Sequence, residues 1–415
     1  MKIIGIETEG AGTNNQMRGV ILEGYKNRST EMTLPVTKQE LLKAEDGRLL
    51  HPKNFSDITE FESAVQQAVT LYLQRESAPK YVILPVDHAA LADENKQVDI
   101  LSGAVKKAFA HHGHSVKTMA LASNLYDYQN VDLIHVGKHL LSDADEKKLA
   151  TSPQLKARVV ETLGVPGNLS WLRINAEANG PQKKNIIDKY RGKKNVLFSL
   201  GGKTENGAIK FTLKDAERLF KSALALKAQG YNVIFTNSPR TPNDVTDFLY
   251  EKCKTFHMDF FNSKKIATTE EEKNNFRIYT GKHNAEFVEQ AAAVGNIYPA
   301  ILSLFEPNRE NKNKGFVINT HDSFSYTSDA AALGIPSVVY TGNTIDNSRF
   351  DCYKLFHICA AKGYVIDLED AIQQTLARKE VKTNPMDNVA KQLVLAMEKS
   401  VDTNKREKSQ AREYY

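Results

Sequence analysis

Two periodicities alternate along this chain. Short apolar runs, of the length expected for strands buried on both faces, are separated by longer stretches whose apolar residues recur three and four apart, as in helices. The strand-like runs fall at 2–6, 81–91, 116–122 and 131–139, and again at 196–200, 232–235, 276–279, 316–318 and 337–340. Between them the helical pattern is clearest at 58–75, 213–227 and 244–250, with a last helix expected at 387–399. Strictly alternating strands and helices predict parallel sheets covered on both faces. The polar, basic stretch 175–194 carries Gly180 and Pro181 and breaks the alternation. The fold class expected is therefore α/β, with two doubly wound (Rossmann-like) parallel-sheet domains. Their expected bounds are 1–180 and 195–385, joined by a linker at 181–194 and followed by a C-terminal helix at 386–400 and a disordered tail at 401–415.

The stretch most dense in chemistry is 316–340, FVINTHDSFSYTSDAAALGIPSVVY. It reads as strand, polar turn, helix and strand, the helix ended by Gly334 and Pro336. A helix that starts at the carboxyl end of a parallel strand directs its unpaired N–H groups and positive dipole end at the crevice, which favours phosphate. Asp329 repels phosphate but suits the hydroxyls of a ribose, so the combination suggests a nucleotide. A capped helix in an ordinary strand-helix-strand unit accounts for the same residues. Gly201 and Gly202 after the strand at 196–200 allow close backbone approach, and Ser238, Arg240 and Thr241 follow the strand at 232–235, where an arginine fork fits a diphosphate. A surface turn is the alternative for that loop. The N-terminal glycines do not form Gly-x-Gly-x-x-Gly, since position 15 is Asn. Asn14, Asn15 and Gln16 offer amides that suit sugar hydroxyls, or simply cap a helix.

Composition narrows the classes. The chain has 415 residues, 41% hydrophobic and 25% charged, ordinary values for a globular protein. Its 55 basic and 50 acidic residues are interspersed, so the net charge of +5 is no nucleic-acid footprint. Cys253, Cys352 and Cys359 are too scattered for a disulfide framework or a zinc site. The N-terminus reaches acidic residues after a few apolar ones, unlike a signal peptide, and no apolar run is long enough to span a bilayer. A soluble, cytoplasmic protein is expected, without specific nucleic-acid partners or a transmembrane segment. The charged tail is compatible with export to a host by a C-terminal signal. His111, His112 and His114 read as a helix terminus, and Asp143 and Asp145 as the acidic first turn of a helix capped by Ser142, so no metal is expected at either place.

Taken together, the motifs resemble the plant mitochondrial-fission ("elongated mitochondria") family and its bacterial relatives, whose members are similar to two-domain GT-B glycosyltransferases. The resemblance is carried by Gly12, Asn15, Gln16 and Gly19, by LGVPGNLS at 163–170, by Gly201 and Gly202, and by TNSPRTP at 236–242. It continues through Asn296 and Tyr298 to THDSFSYTSDAAALGIP, and covers roughly residues 3 to 340. The family's Pro-Glu-His-Asp after the fourth strand is VGKHL here and keeps only His139. Its Met and Glu in the helix are Tyr326 and Asp329, and its Asn-Pro-Tyr is Asn-Ile-Tyr-Pro.

The resemblance implies a GT-B fold whose two domains face a cleft, with a nucleotide-diphosphate-sugar donor held mostly by the second. Asp329 would bind ribose, and Asp322, Ser323 and Ser325 with the helix start would hold diphosphate. Gly201, Gly202, Ser238, Arg240 and Thr241 would complete the cradle. Gly12, Asn15, Gln16, Asn296 and Tyr298 would meet the acceptor or sugar, and His139, Asp87 and His88 are the catalytic candidates. Neither metal nor other cofactor is called for, because helix dipole and donors offset the leaving diphosphate. The function implied is a metal-independent glycosyltransferase acting on an unknown acceptor. The alternatives are a non-hydrolysing nucleotide-sugar epimerase, against which Phe324 and Ser325 stand in place of glycines, and a catalytically inactive adaptor that keeps the fold.

Overall fold

The computed structural model describes residues 1–8, 11–26, 41–86, 92–122, 125–167, 169–202, 209–238, 240–261, 279–280, 297–307, 315–342, 344–345 and 352–413. It divides into two compact units, residues 1–168 with 388–415, and residues 169–387.

Unit 1 contains β1 (Ile3–Ile6), α1 (Ala11–Lys26), β2 (Leu41–Leu42), α2 (Ile58–Leu73), β3 (Tyr81–Pro85), α3 (Ala92–His111), β4 (Lys117–Leu121), β5 (Leu133–Gly137), α4 (Asp143–Thr151), α5 (Pro153–Arg158) and β6 (Val159–Thr162). The six strands form a wholly parallel sheet in the order β2-β1-β3-β4-β5-β6. Strands β1 and β3 are buried along almost their whole length because helices cover both faces. One apolar cluster gathers α2 and α3 on one face, and another gathers α1 on the other. Ser142 and Asp145 make the reciprocal capping box expected at α4.

Unit 2 contains α6 (Trp171–Asn179), α7 (Pro181–Asp188), β7 (Asn195–Ser199), β8 (Ile209–Lys210), α8 (Leu213–Ala228), β9 (Asn232–Thr236), α9 (Asn243–Thr255), β10 (Asp259–Phe261), β11 (Tyr279–Thr280), α10 (Tyr298–Leu302), β12 (Gly315–Thr320), α11 (Phe324–Ala332), β13 (Ser337–Tyr340), β14 (Thr344–Ile345), α12 (Cys352–Ala361), β15 (Ile366–Asp367) and α13 (Leu368–Leu376). Its main sheet runs β11-β10-β9-β7-β12-β13-β15, parallel except for the edge strand β11. From β7 the chain winds to β9 on one side and later to β12 on the other. The order therefore reverses at the β7/β12 boundary, the place in an open α/β sheet where a crevice opens beyond the strand ends. Both units are thus doubly wound α/β sheets. The expected strand at 276–279 coincides with the described residues only at Tyr279, in the antiparallel edge.

Three expectations about organisation are corrected. The division falls near residue 169, not at 180, and 181–194 is no linker. Gly180 and Pro181 mark the break between two helices: Gly180 caps α6, and Pro181, lacking an N–H, opens α7. Ile174, Ala178, Ile186, Ile187 and Tyr190 from this region are buried with Leu197, Ile234 and Val317 of the sheet. The polar residues that resemble a linker form the solvent face of this helical pair. The third correction concerns the C-terminus, where the chain returns to unit 1 as α14 (Val389–Glu413), continuous through most of the tail expected to be disordered. Val389, Ala390, Leu393, Val394 and Met397 recur with helical spacing and pack with Met17, Val20 and Ile21 of α1. At the end of this contact Lys117 Nζ donates to the Ser400 carbonyl at 2.7 Å, and the Ser400 hydroxyl also bonds Tyr81. Among the described residues, no helix is long and apolar enough to cross a membrane.

Candidate functional site

The switch point of unit 2 gathers loops after β7, β9 and β12. In the loop after β7, the Gly201 N–H donates to Thr320 Oγ1 at 2.7 Å and the Gly202 N–H to Asp322 Oδ2 at 3.0 Å. Both glycines are required by closeness, not by a left-handed backbone. A Cβ on Gly201 would overlap the Asp322 carboxylate, and one on Gly202 would overlap the Arg240 backbone. The amides expected to cradle phosphate are therefore already engaged by the protein.

Ser238 and Thr241 brace the loop after β9. The Ser238 N–H donates to Thr241 Oγ1 at 2.9 Å, the Thr241 N–H returns to the Ser238 carbonyl at 3.0 Å, and the Thr241 hydroxyl donates to the Gly201 carbonyl. This ties the β7 and β9 loops together and leaves Arg240 between them. Arg240 Nη2 donates to Asp322 Oδ2 at 3.3 Å. The Asp322 side chain has 0% of its surface exposed and that of Arg240 44%, so the pair has a buried anion and an open cation. Among the described residues, Arg240 makes no other hydrogen bond.

Thr320 ends β12, Ser323 is the N-cap of α11, and Ser325 is exposed in the first helical turn. The Ser323 side chain makes no capping bond to its own helix. The N-terminal N–H groups of α11 and two serine hydroxyls thus lie just after Asp322. One turn further along α11, Asp329 is only partly covered by area but is closely surrounded by protein. Burial pushes its carboxyl up to about 7, against the opposing attraction of Arg173 from α6. Tyr298, at the start of α10, lies beside the same group, and its ring meets that of Tyr326 at 4.3 Å between centroids and 31° between planes. Burial first, and then the Asp329 charge, hold the Tyr298 phenol well above its ordinary range and push that of Tyr326 up to about 12. Both phenols are neutral donors at physiological pH.

Beneath these loops runs a feature not expected from the sequence. Thr236, Ser199 and Asn319 face one another in register as the last or near-last residues of β9, β7 and β12. All three are fully buried, and among the described residues the two hydroxyls and both amide atoms of Asn319 have no hydrogen-bond partner. The signal was present: the runs NVLFS, NVIFT and GFVINT each become polar at the same register. Arg173 was also missed, because it was placed in the other domain.

The unit 1 candidates are arranged differently. Gly12, Asn15 and Gln16 lie in the first turns of α1, with Asn15 exposed. Asn14 bonds Thr8 ahead of the helix, accepting from its N–H at 3.1 Å and donating to its carbonyl. His139 belongs to a short helical turn after β5, is only 3% exposed, and packs its imidazole over Gly137. Nearby His135 accepts the Ala122 N–H on Nδ1 at 3.0 Å and so donates from Nε2 to Thr162 Oγ1 at 2.8 Å, a neutral structural histidine. Asp87, His88 and Asn296 lie outside the described residues.

A sequence model of the family described as Mitochondrial fission ELM1 matches residues 99–276, under half of the chain. The match takes in Gly201, Gly202, Ser238, Arg240 and Thr241, and agrees with the resemblance read from the motifs. No curated protein sequence matches the chain. Among solved structures, the chain is similar to S. aureus MnaA in a co-structure with UDP, at 14% identity over 95% of each chain with a TM-score of 0.43. It is also similar to the Methanocaldococcus jannaschii UDP-GlcNAc 2-epimerase in complex with UDP-GlcNAc and UDP, at 10% identity over 97% of this chain and 98% of that one, with a TM-score of 0.41. A third similarity is to a trehalose 6-phosphate synthase from Burkholderia multivorans, at 10% identity over 88% and 79% of the two chains, with a TM-score of 0.37.

Proposed function

We propose that unit 2 binds a nucleotide-diphosphate-sugar and that the protein is a metal-independent glycosyltransferase. The observation that carries this reading is the convergence, beyond the β7/β12 switch point, of an open guanidinium, a helix N-terminus with two serine hydroxyls, and a carboxylate one turn along that helix. Cation and helix N-terminus suit a diphosphate, and Asp329 suits the paired hydroxyls of a ribose. The same groups that bind the diphosphate would stabilise its added charge as it leaves, the step in which glycosyl transfer needs electrostatic help. Acceptor recognition is assigned to Gly12, Asn15 and Gln16 at the start of α1, and a cytoplasmic location remains part of the proposal. The buried setting of His139 favours, as a second reading, an adaptor that binds the nucleotide without turning it over.

The test is incubation of purified protein with a panel of nucleotide-sugars in the presence of a metal chelator, followed by product analysis. Release of nucleoside diphosphate, lost in Asp329→Ala, is expected. An inverted hydroxyl on a sugar still attached to its nucleotide would replace transfer by epimerisation. Tight binding with no product from any donor would establish the adaptor instead.

A further inference from the structure

We propose that Asp322 is a positioning residue: its buried carboxylate aims the Arg240 guanidinium as the anion receptor of unit 2, while the amides of Gly201 and Gly202 remain committed to the protein. This rests on the nucleotide reading above and specifies which groups meet the phosphates. One oxygen, Asp322 Oδ2, accepts from both Gly202 N–H and Arg240 Nη2. Both carboxylate oxygens occupy the space beside Gly201 that any side chain there would fill. The carboxylate is therefore held by packing as well as by hydrogen bonds, and it faces inward, whereas the guanidinium it holds faces outward.

An arginine on an unconstrained stem must be ordered when a ligand binds, and one already held through one N–H of its planar fork loses less freedom. The remaining N–H groups of the fork keep fixed directions for a bidentate contact. Because α11 starts two residues after Asp322, one short segment sets both the guanidinium and the helix N-terminus. This explains why a carboxylate belongs in a cradle for anions: it acts on the ligand through Arg240.

The test is calorimetric titration of the full-length protein with inorganic pyrophosphate and, separately, with uridine diphosphate. Wild type, Asp322→Asn, Arg240→Ala and the double variant are compared, with melting curves without ligand as a check on folding. Asparagine preserves the shape and an acceptor for the Gly202 N–H but removes the charge that grips Arg240. Each single variant is expected to weaken pyrophosphate binding by about tenfold or more, the worth of one charge-assisted contact. Asp322→Asn is expected to have no further effect in the Arg240→Ala background. Equal weakening in both backgrounds would make Asp322 merely structural, and tighter binding by Asp322→Asn would make it a repulsive neighbour of the ligand. Either result, or failure of wild type to bind pyrophosphate, overturns the proposal. Arg240→Lys gives an independent reading should Asp322→Asn not fold. It retains the charge without the fork and is expected to bind as weakly as Arg240→Ala, and wild-type affinity would show that aiming is unnecessary. If uridine diphosphate and its purine counterpart bind no tighter than pyrophosphate while the cycle holds, the nucleotide reading fails and the role of Asp322 stands.

Discussion

At the scale of single residues, Asp329 has the most direct consequence for solution behaviour. Below about 3.8, the ordinary value for an aspartate, its carboxyl is neutral in folded and unfolded chains alike. As the pH rises from there through about 7, the unfolded chain releases a proton that the folded chain retains, so stability falls across that window. Asp329→Asn should remove this slope and raise stability above the window by on the order of 4 kcal/mol, which thermal melts over a pH series would show. Nucleotide affinity should move oppositely in wild type, because ribose hydroxyls donate best to the ionised carboxylate, and Asp329→Asn should bind weakly at every pH. A variant that melts higher yet binds worse would mark a residue kept for function at the expense of stability. Arg240 was legible in the sequence as a charge after a predicted strand, and Asp329 as one near the start of a predicted helix. The influence of Arg173 on Asp329 was not, because only the packing of α6 in unit 2 brings the two together.

At the scale of elements, the strand-helix-strand of β12, α11 and β13 was legible in full, since apolar runs and a Gly-Pro stop fix it locally. The helical pair α6 and α7 was not, because its surface is polar and its buried residues are few. The polar register of Thr236, Ser199 and Asn319 gives a test of the sheet itself. A buried hydroxyl without a partner costs about 1–3 kcal/mol, so Thr236→Val, nearly isosteric, should raise the melting free energy by about 1 kcal/mol. A loss of stability of that size would mean instead that an ordered water satisfies the row.

At the scale of the whole molecule, the alternation of strands and helices announced two doubly wound sheets, while the return of the C-terminus to unit 1 depends on contacts that sequence order conceals. Leu393→Ala in α14 should cost about 2–5 kcal/mol as a buried truncation, and should do so in unit 1, not in the unit that precedes α14 in sequence. Limited proteolysis of that variant, with fragments mapped to each unit, would show which one opens. The central claim is that unit 2 receives a nucleoside diphosphate, and the most direct measurement is the thermal stability of the full-length protein against a panel of nucleosides, nucleoside diphosphates and nucleotide-sugars with a metal chelator present. At a hundred times its dissociation constant, a ligand of the native state adds about 2.7 kcal/mol. A clear shift with one nucleoside diphosphate and its sugar conjugates, absent with the bare nucleoside and lost in Arg240→Ala and Asp329→Ala, is the predicted result. No shift with any member of the panel would contradict the account.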